Sequence, residues 1–168
     1  MTPPIEPHWI AYASPVVALL AAIIAAGVAV AFGRMQAKIA RQQADTARTK
    51  LQLDLFDRRL VIYNAVMSAW RRVVTKGDFP SEQIDPYLLG TNGARWLFED
   101  EVAKYVDETF LGMLIELEFA NAGLLGARGS GADVQTKAAD TRAKRFNEIA
   151  EQHRVIDQLF SPYLKLKH

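Results

Sequence analysis

The chain has 168 residues, half of them hydrophobic, and a formal net charge of +1. That length accommodates one membrane anchor and one domain with a packed core. The absence of cysteine excludes disulfides, thiolate metal sites and cysteine nucleophiles. The charge is distributed unevenly along the chain, because Glu6 is the only charged side chain before Arg34 and every lysine and arginine lies at or after Arg34.

The first predicted element is a transmembrane helix over residues 10–33. Residues 10–32 form a run of 23 without a charged side chain, and ten of them are Ile, Val, Leu or Phe. At about 1.5 Å per residue this helix spans about 34 Å, enough for a hydrocarbon core about 30 Å thick. A cleaved signal peptide would carry its basic residues before the apolar run, whereas here they follow it.

The flanks of this helix predict its orientation. Arg34, Lys38 and Arg41 follow the apolar run directly, and no lysine or arginine precedes it. Because basic flanks stay on the cytoplasmic side, we expect residues 1–9 to form a short external segment and residues 34–168 to lie in the cytoplasm. The same three side chains are expected to bind anionic lipid headgroups.

A row of small side chains continues from this helix into residues 34–50, which are predicted to form a juxtamembrane helical stalk. Residues spaced by threes and fours lie on one side of a helix. We define this small-residue face by Ala22, Ala26, Ala29, Gly33, Ala37, Ala40, Ala44, Ala47 and Leu51. Small side chains permit close contact between helices in a bilayer, so we expect homo-oligomerisation here. A helix of the same domain is the other possible partner, and alanine is also simply a good helix former.

The remaining residues, 51–168, are predicted to form a cytoplasmic helical bundle, so the fold class is all-α. Residues 51–76 are apolar on nearly every face, as in a central helix, and turn residues follow them. A short helix, a helix with acidic residues at its start near Glu99, and a last helix from about Asp133 to Phe160 come next. No stretch alternates with period two, so no sheet is expected.

The most distinctive peptide is KLQLDLFDRR, residues 50–59. Asp54 lies four residues from both Lys50 and Arg58, a spacing at which opposite charges pair on a helix. Because this helix is otherwise apolar, we expect some of the charges of this peptide, which also include Asp57, to be partly buried. Their expected role is to set the register of helices within the bundle or between subunits.

Candidates for catalysis or metal binding are few. His153 is the only histidine inside the predicted helices, and its neighbours at helical spacing are apolar, which is more typical of a packed histidine than of a catalytic one. Seven residues separate it from Arg145, a longer gap than in the Arg-His pair of helical nucleotide-binding ribonucleases. We therefore expect no catalytic residue, no cofactor and no metal site, and nucleic acid is not an expected partner.

Residues 50–59 resemble the characteristic peptide of a family of small bacterial single-pass membrane proteins, itself without an established activity. Two further peptides carry the resemblance, WLF at residues 96–98 and the FxPYL ending, FSPYL, at residues 160–164. The resemblance implies an inner-membrane location and the anchor-and-helices architecture. In architecture alone, the chain is also similar to the pore-forming membrane accessory protein of type VI-B CRISPR systems, which implies an oligomeric pore.

Together these features predict a non-enzymatic, homo-oligomeric inner-membrane protein that acts by assembly, with pore formation or another perturbation of the membrane as its effect. The alternative is an anchor that recruits a cytoplasmic protein to the membrane. A membrane-tethered ribonuclease that uses His153 with Arg145 is the third and weakest hypothesis.

Overall fold

The computed structural model describes the backbone of residues 9–165 and the side chains of residues 17–165. Within that range the chain folds into helices joined by turns and contains no strand, which confirms the predicted all-α class. The expected external segment, residues 1–9, lies outside the described residues except for the backbone of Trp9.

The helices follow one another with short connections. In chain order they are α1 (Trp9–Lys76), a 3₁₀ turn (Ser81–Gln83), α2 (Ile84–Thr91), α3 (Ala94–Leu97), α4 (Asp100–Lys104), a π-helical segment (Tyr105–Phe110), α5 (Leu111–Gly126), α6 (Ala132–Ala150) and α7 (His153–Phe160). Internal contacts divide the chain into two compact units, Met1–Lys50 and Leu51–His168.

The described part of the first unit is a single stretch of α1. Every side chain over residues 17–50 is exposed, including large apolar ones such as Ile24 at 66%. An 18-residue window of this helix has a mean hydropathy of 2.2, so its length and composition suffice to cross a membrane. Isolated apolar side chains on a protein surface are ordinary, but a continuous run of them is not.

A second helical stretch, Asp100–Gly126, also has the length and the mean hydropathy, 1.2, of a membrane-crossing helix. It places Val106, Phe110 and Leu114 in the core of the second unit, where each is fully buried. Packing within the protein therefore accounts for part of the apolar character of this stretch, since 17% of its most apolar window is buried.

In the second unit, α1 buries one face. Ile62, Val66 and Val73 lie on that face at helical spacing and belong to the core. Leu53 and Val61 are exposed, so the expectation of a central helix covered on nearly every face is wrong. Among the described residues, the later helices cover one side of α1 and leave apolar residues on its other side exposed.

The C-terminal end of α1 is closed by a glycine and an arginine. Gly77 has a φ of 75°, a conformation that ends helices and that glycine adopts without strain. Its N–H donates to the carbonyl of Val73 at 2.7 Å, and its own carbonyl accepts from Arg142 Nη2 of α6, also at 2.7 Å. A cation at this position also offsets the negative end of the helix dipole.

The predicted last helix is two helices, since a turn at Glu151 and Gln152 separates α6 from α7. The side chain of Gln152 holds this turn, accepting from Tyr105 Oη at 3.0 Å and donating to the Glu148 carbonyl at 3.1 Å. On α6, Ala139 is exposed and Ala138 is half-buried. The residues expected on the inner face of this last helix were Ala139, Ala143, Phe146, Ile149, Ile156 and Phe160. Ile149, Ile156 and Phe160 are fully buried and Phe146 is half-buried, whereas Ala139 and Ala143 are exposed.

At Gly90, α2 packs closely against α1, and a side chain there would clash. A Cβ atom at Gly90 would lie 2.7 Å from the Cβ of Ala65, whereas a Cβ at Gly112 on α5 would meet nothing within 4 Å. We expect Gly90→Ala to lower the free energy of unfolding by about 1–3 kcal/mol, because two Cβ atoms cannot move independently of their backbones.

Gly112→Ala is the matched control, expected to raise the free energy of unfolding by about 0.5–1 kcal/mol through helix propensity. Thermal unfolding followed by circular dichroism in detergent measures both. Equal or higher stability of Gly90→Ala relative to Gly112→Ala would contradict the close packing of α1 and α2.

Candidate functional surfaces

The small-residue face lies within α1 and is open to solvent. All nine of its residues, from Ala22 to Leu51, are helical and exposed. At about 100° per residue they occupy an arc of about 80° on the helix surface. Small side chains would let another helix approach the α1 backbone closely on this side, whereas the long apolar side chains elsewhere around α1 would keep a second helix further away.

The predicted headgroup-binding residues Arg34, Lys38 and Arg41 are also exposed. None of the ion pairs among the described residues involves them. They lie within two turns after the charge-free stretch, where cations would meet the phosphates of a bilayer if the helix crosses it.

The charges of residues 50–59 are less buried than expected. Asp54 pairs with Arg58 at 3.1 Å, and their side chains are 55% and 65% exposed. Asp57 is exposed as well. Partial burial, which was expected for some charges of this peptide, is therefore not found at these three residues, which lie on the side of α1 that faces away from the core, but it is found at Arg59. An exposed pair of this kind contributes little stability. The pairing of Lys50 and the role of these residues in helix register stay predictions.

Arg59, which the sequence analysis did not single out, makes the long-range contacts of this peptide. It is half-buried, and its Nε donates to the carbonyl of Leu97 at 2.9 Å. Its guanidinium lies 5.8 Å from the ring centroid of Phe98 and 5.3 Å from that of Tyr163. Helical charge spacing could not reveal Arg59, since its partners are distant in sequence.

An aromatic cluster of Tyr63, Phe98, Phe160 and Tyr163 surrounds this arginine. The ring of Phe98 lies 5.1 Å from that of Phe160 and 5.2 Å from that of Tyr163, both edge to face. Tyr63 meets Phe160 at 5.5 Å. Residues 50–59, 96–98 and 160–164, which are far apart in sequence, therefore meet in one place.

A cleft of 910 Å³ opens beside Arg59. Its apolar lining includes Phe56, Val102 and Leu159, and its charged lining includes Glu99, Glu101 and Lys165. Partial burial, together with the negative charge of Glu99, raises the pKa of Tyr163. A cleft of this size with both signs of charge on apolar walls suits the side chains of a polypeptide better than a single small ion.

The two ribonuclease candidates have separate partners on separate helices. His153 packs on Trp70, with 4.8 Å between ring centroids, and its Nδ1 lies 3.4 Å from the Asp157 carboxylate. Arg145 donates to Glu148 Oε2 at 2.8 Å and lies 3.1 Å from a carboxylate oxygen of Glu116.

These contacts are of the kind that hold helices together. Over the described side chains, no group of three His, Asp or Glu is arranged to hold a metal ion.

Replacement of Arg59 by lysine should destabilise the protein although the charge is kept. Lysine has neither the Nε–H that bonds Leu97 nor a planar group to lie against two rings. From a charged hydrogen bond and two cation–π contacts, we expect a loss of about 2 kcal/mol in the free energy of unfolding.

Arg58→Lys, one residue away, is the control and should change that free energy by less than about 0.5 kcal/mol. Chemical denaturation in detergent compares the two variants. Equal effects would show that Arg59 does not connect α1 to the aromatic cluster.

Comparison of the chain with protein-family models, with curated proteins and with solved structures finds no match. The functional conclusion therefore rests on the residues and their geometry.

Proposed function

We propose that this chain is a non-enzymatic inner-membrane protein with one transmembrane helix, a cytoplasmic helical bundle and a function that depends on self-assembly. The observation that carries the proposal is the exposure of every side chain over residues 17–50. Over residues 17–33 those side chains carry no charge, and basic residues begin at Arg34. A lipid bilayer covers such an apolar helix, and the basic flank favours a cytoplasmic C-terminal side.

A single introduced cysteine tests the membrane topology, because the natural chain contains none. Ser68 lies on an exposed position of α1 in the second unit, so Ser68→Cys should leave the fold intact. A membrane-impermeant maleimide should label it in inside-out vesicles and leave it unlabelled in intact spheroplasts. Labelling in spheroplasts would contradict a cytoplasmic bundle, and release of the protein by an alkaline wash would contradict the transmembrane helix.

Self-assembly is supported by the small-residue face, whose residues are all exposed and share one side of α1. Four-residue spacing of small side chains favours helix contact in lipid, where apolar burial by itself gives no advantage over contact with acyl chains. The face continues beyond Gly33 into a polar stretch, where a narrow apolar stripe gains from being covered by a second helix. The same two chains can therefore meet inside and outside the bilayer.

Light scattering in mild detergent measures this assembly. The protein mass of the wild-type complex should be at least twice the 18.7 kDa of one chain. Ala29→Leu and Ala40→Leu, which place large side chains on the small-residue face, should lower that mass. Ala31→Leu is the matched control, because two residues along a helix turn it by about 200°, to the opposite side. Equal masses for Ala29→Leu, Ala31→Leu and wild type would reject the small-residue face as the contact.

Pore formation is one form that assembly can take. One helix encloses no channel, so a pore requires several copies, and its wall would be almost wholly apolar and gated by dewetting. Ion flux through liposomes that contain the purified protein separates a pore from an assembly without conduction.

A second candidate function is recruitment of a cytoplasmic protein. The cleft beside Arg59 favours it, because its lining combines apolar side chains with Glu99 and Lys165, as interfaces that bind polypeptides do. A folded wild-type chain that is monomeric in detergent and in membranes would favour this recruiting role over assembly.

A further inference from the structure

The hairpin of α5 and α6 has an open apolar groove on its surface. The groove has a volume of 640 Å³, and its lining includes Phe119, Ala120, Gly123, Ala127, Val134 and Ala138. We propose that this groove is a contact between two copies of the chain, in which each copy inserts Phe119 into the groove of the other. The inference rests on the proposed self-assembly and names a contact in the second unit that serves it.

The groove and the side chain that would fill it lie on the same surface. Phe119 is 72% exposed and Val134 is 54% exposed, although both line the groove. Phe119 is therefore a projecting side chain on the groove wall and does not fill the groove of its own chain. The floor includes Gly123, and a Cβ atom there would meet nothing within 4 Å. An aromatic ring from outside has room to enter.

A second copy fits this surface because the surface is self-complementary. In a two-fold contact the same patch meets itself, so it must present both a projection and a recess, and here Phe119 supplies the first and Gly123 part of the second. The charges are complementary as well. Glu116 on the α5 wall and Arg145 on the α6 wall attract each other across 3.1 Å, and a two-fold operation can bring each wall beside the oppositely charged wall of the other copy.

The charges also argue against a lipid surface as the occupant. Glu116 and Glu118 are the only charged side chains of α5, and Phe119 follows them directly. Their carboxylates would face the anionic headgroups of a bacterial membrane if Phe119 inserted into lipid, which is unfavourable. In a contact between two copies, the same carboxylates would lie near Arg145 of the other copy, which also pairs with Glu116 and Glu148 of its own chain.

The contact is small, and this suits chains confined to a membrane. A stable soluble dimer buries roughly 1,200–2,000 Å² in total, more than one groove and one aromatic ring supply. Tethering raises the effective concentration of the second contact once chains already meet elsewhere, so that a weak contact becomes populated without new interactions. We therefore expect the groove contact in membranes that contain the full chain.

Cross-linking of a single cysteine in native membranes tests the groove. Gly126 is an exposed residue that lines the groove, and a Cβ there meets nothing within 4 Å. Gly126→Cys in the otherwise cysteine-free chain should give a dimer with a short bis-maleimide. In that background Phe119→Ala, which removes the inserted ring, and Gly123→Leu, which fills the recess, should each lower the dimer yield about tenfold, as for a central interface residue.

Matched controls separate the groove from general damage. Leu125→Ala removes another exposed apolar side chain of α5, and Ala122→Leu enlarges an exposed residue next to Gly123; neither residue lines the groove. Both should leave the dimer yield unchanged. Gly123→Leu should also keep or raise the unfolding temperature, because leucine is a better helix former than glycine and has room there.

Three outcomes would overturn the inference: no cross-link at Gly126→Cys, an unchanged yield in Phe119→Ala and Gly123→Leu, or an equal loss in the two controls. The same experiments distinguish failure of the groove contact from failure of the proposed self-assembly. If Ala29→Leu lowers the mass in detergent while the groove variants change nothing, the assembly stands and the groove contact is wrong. If the wild type is monomeric in membranes and in detergent, the assembly itself is wrong.

Discussion

The apolar surface at the beginning of α1 is the constraint on which the rest of this structure depends. Eight large apolar side chains over residues 17–32 are between 54% and 66% exposed. Holding such side chains in water costs a free energy on the order of 10 kcal/mol in total, comparable with the whole stability of a typical domain, about 5–15 kcal/mol. A chain with this segment therefore needs a lipid environment or a partner that covers the segment.

In the second unit, the same helix packs against the rest of the chain. After residue 50, α1 keeps an apolar face for the later helices, and Val66 and Val73 are fully buried there. Arg59 and the aromatic rings around it join the start of this part of α1 to the peptide before α4 and to the C-terminal turn after α7. At the other end, Arg142 binds the carbonyl of Gly77. Two arginines, neither in an exposed i,i+4 pair, thus connect helix α1 to the elements that cover it.

The surfaces proposed for function share a physical character. The small-residue face, the Arg59 cleft and the α5–α6 groove are each modest in the area they can bury. Modest contacts become effective when the chains are held in one plane at high local concentration. Attachment to a membrane and assembly are therefore two parts of one proposal, in which the membrane supplies the concentration that the contacts need.

The sequence alone determined the features that depend on local composition. The absence of charge over residues 10–32 predicted an apolar helix, and the spacing of alanines beyond Gly33 predicted that the helix continues. The glycine after Lys76 predicted its end, and α1 does end at Lys76. Only the tertiary structure decided which residues at equal spacing are covered. In the folded chain Asp57 and Ala139 are exposed, and α6 ends at Ala150. Arg59, unlike the charged residues next to it, makes long-range contacts, because the later part of the chain places Leu97, Phe98 and Tyr163 beside it. Burial depends on contacts between segments distant in sequence, which a periodic pattern along one helix does not specify.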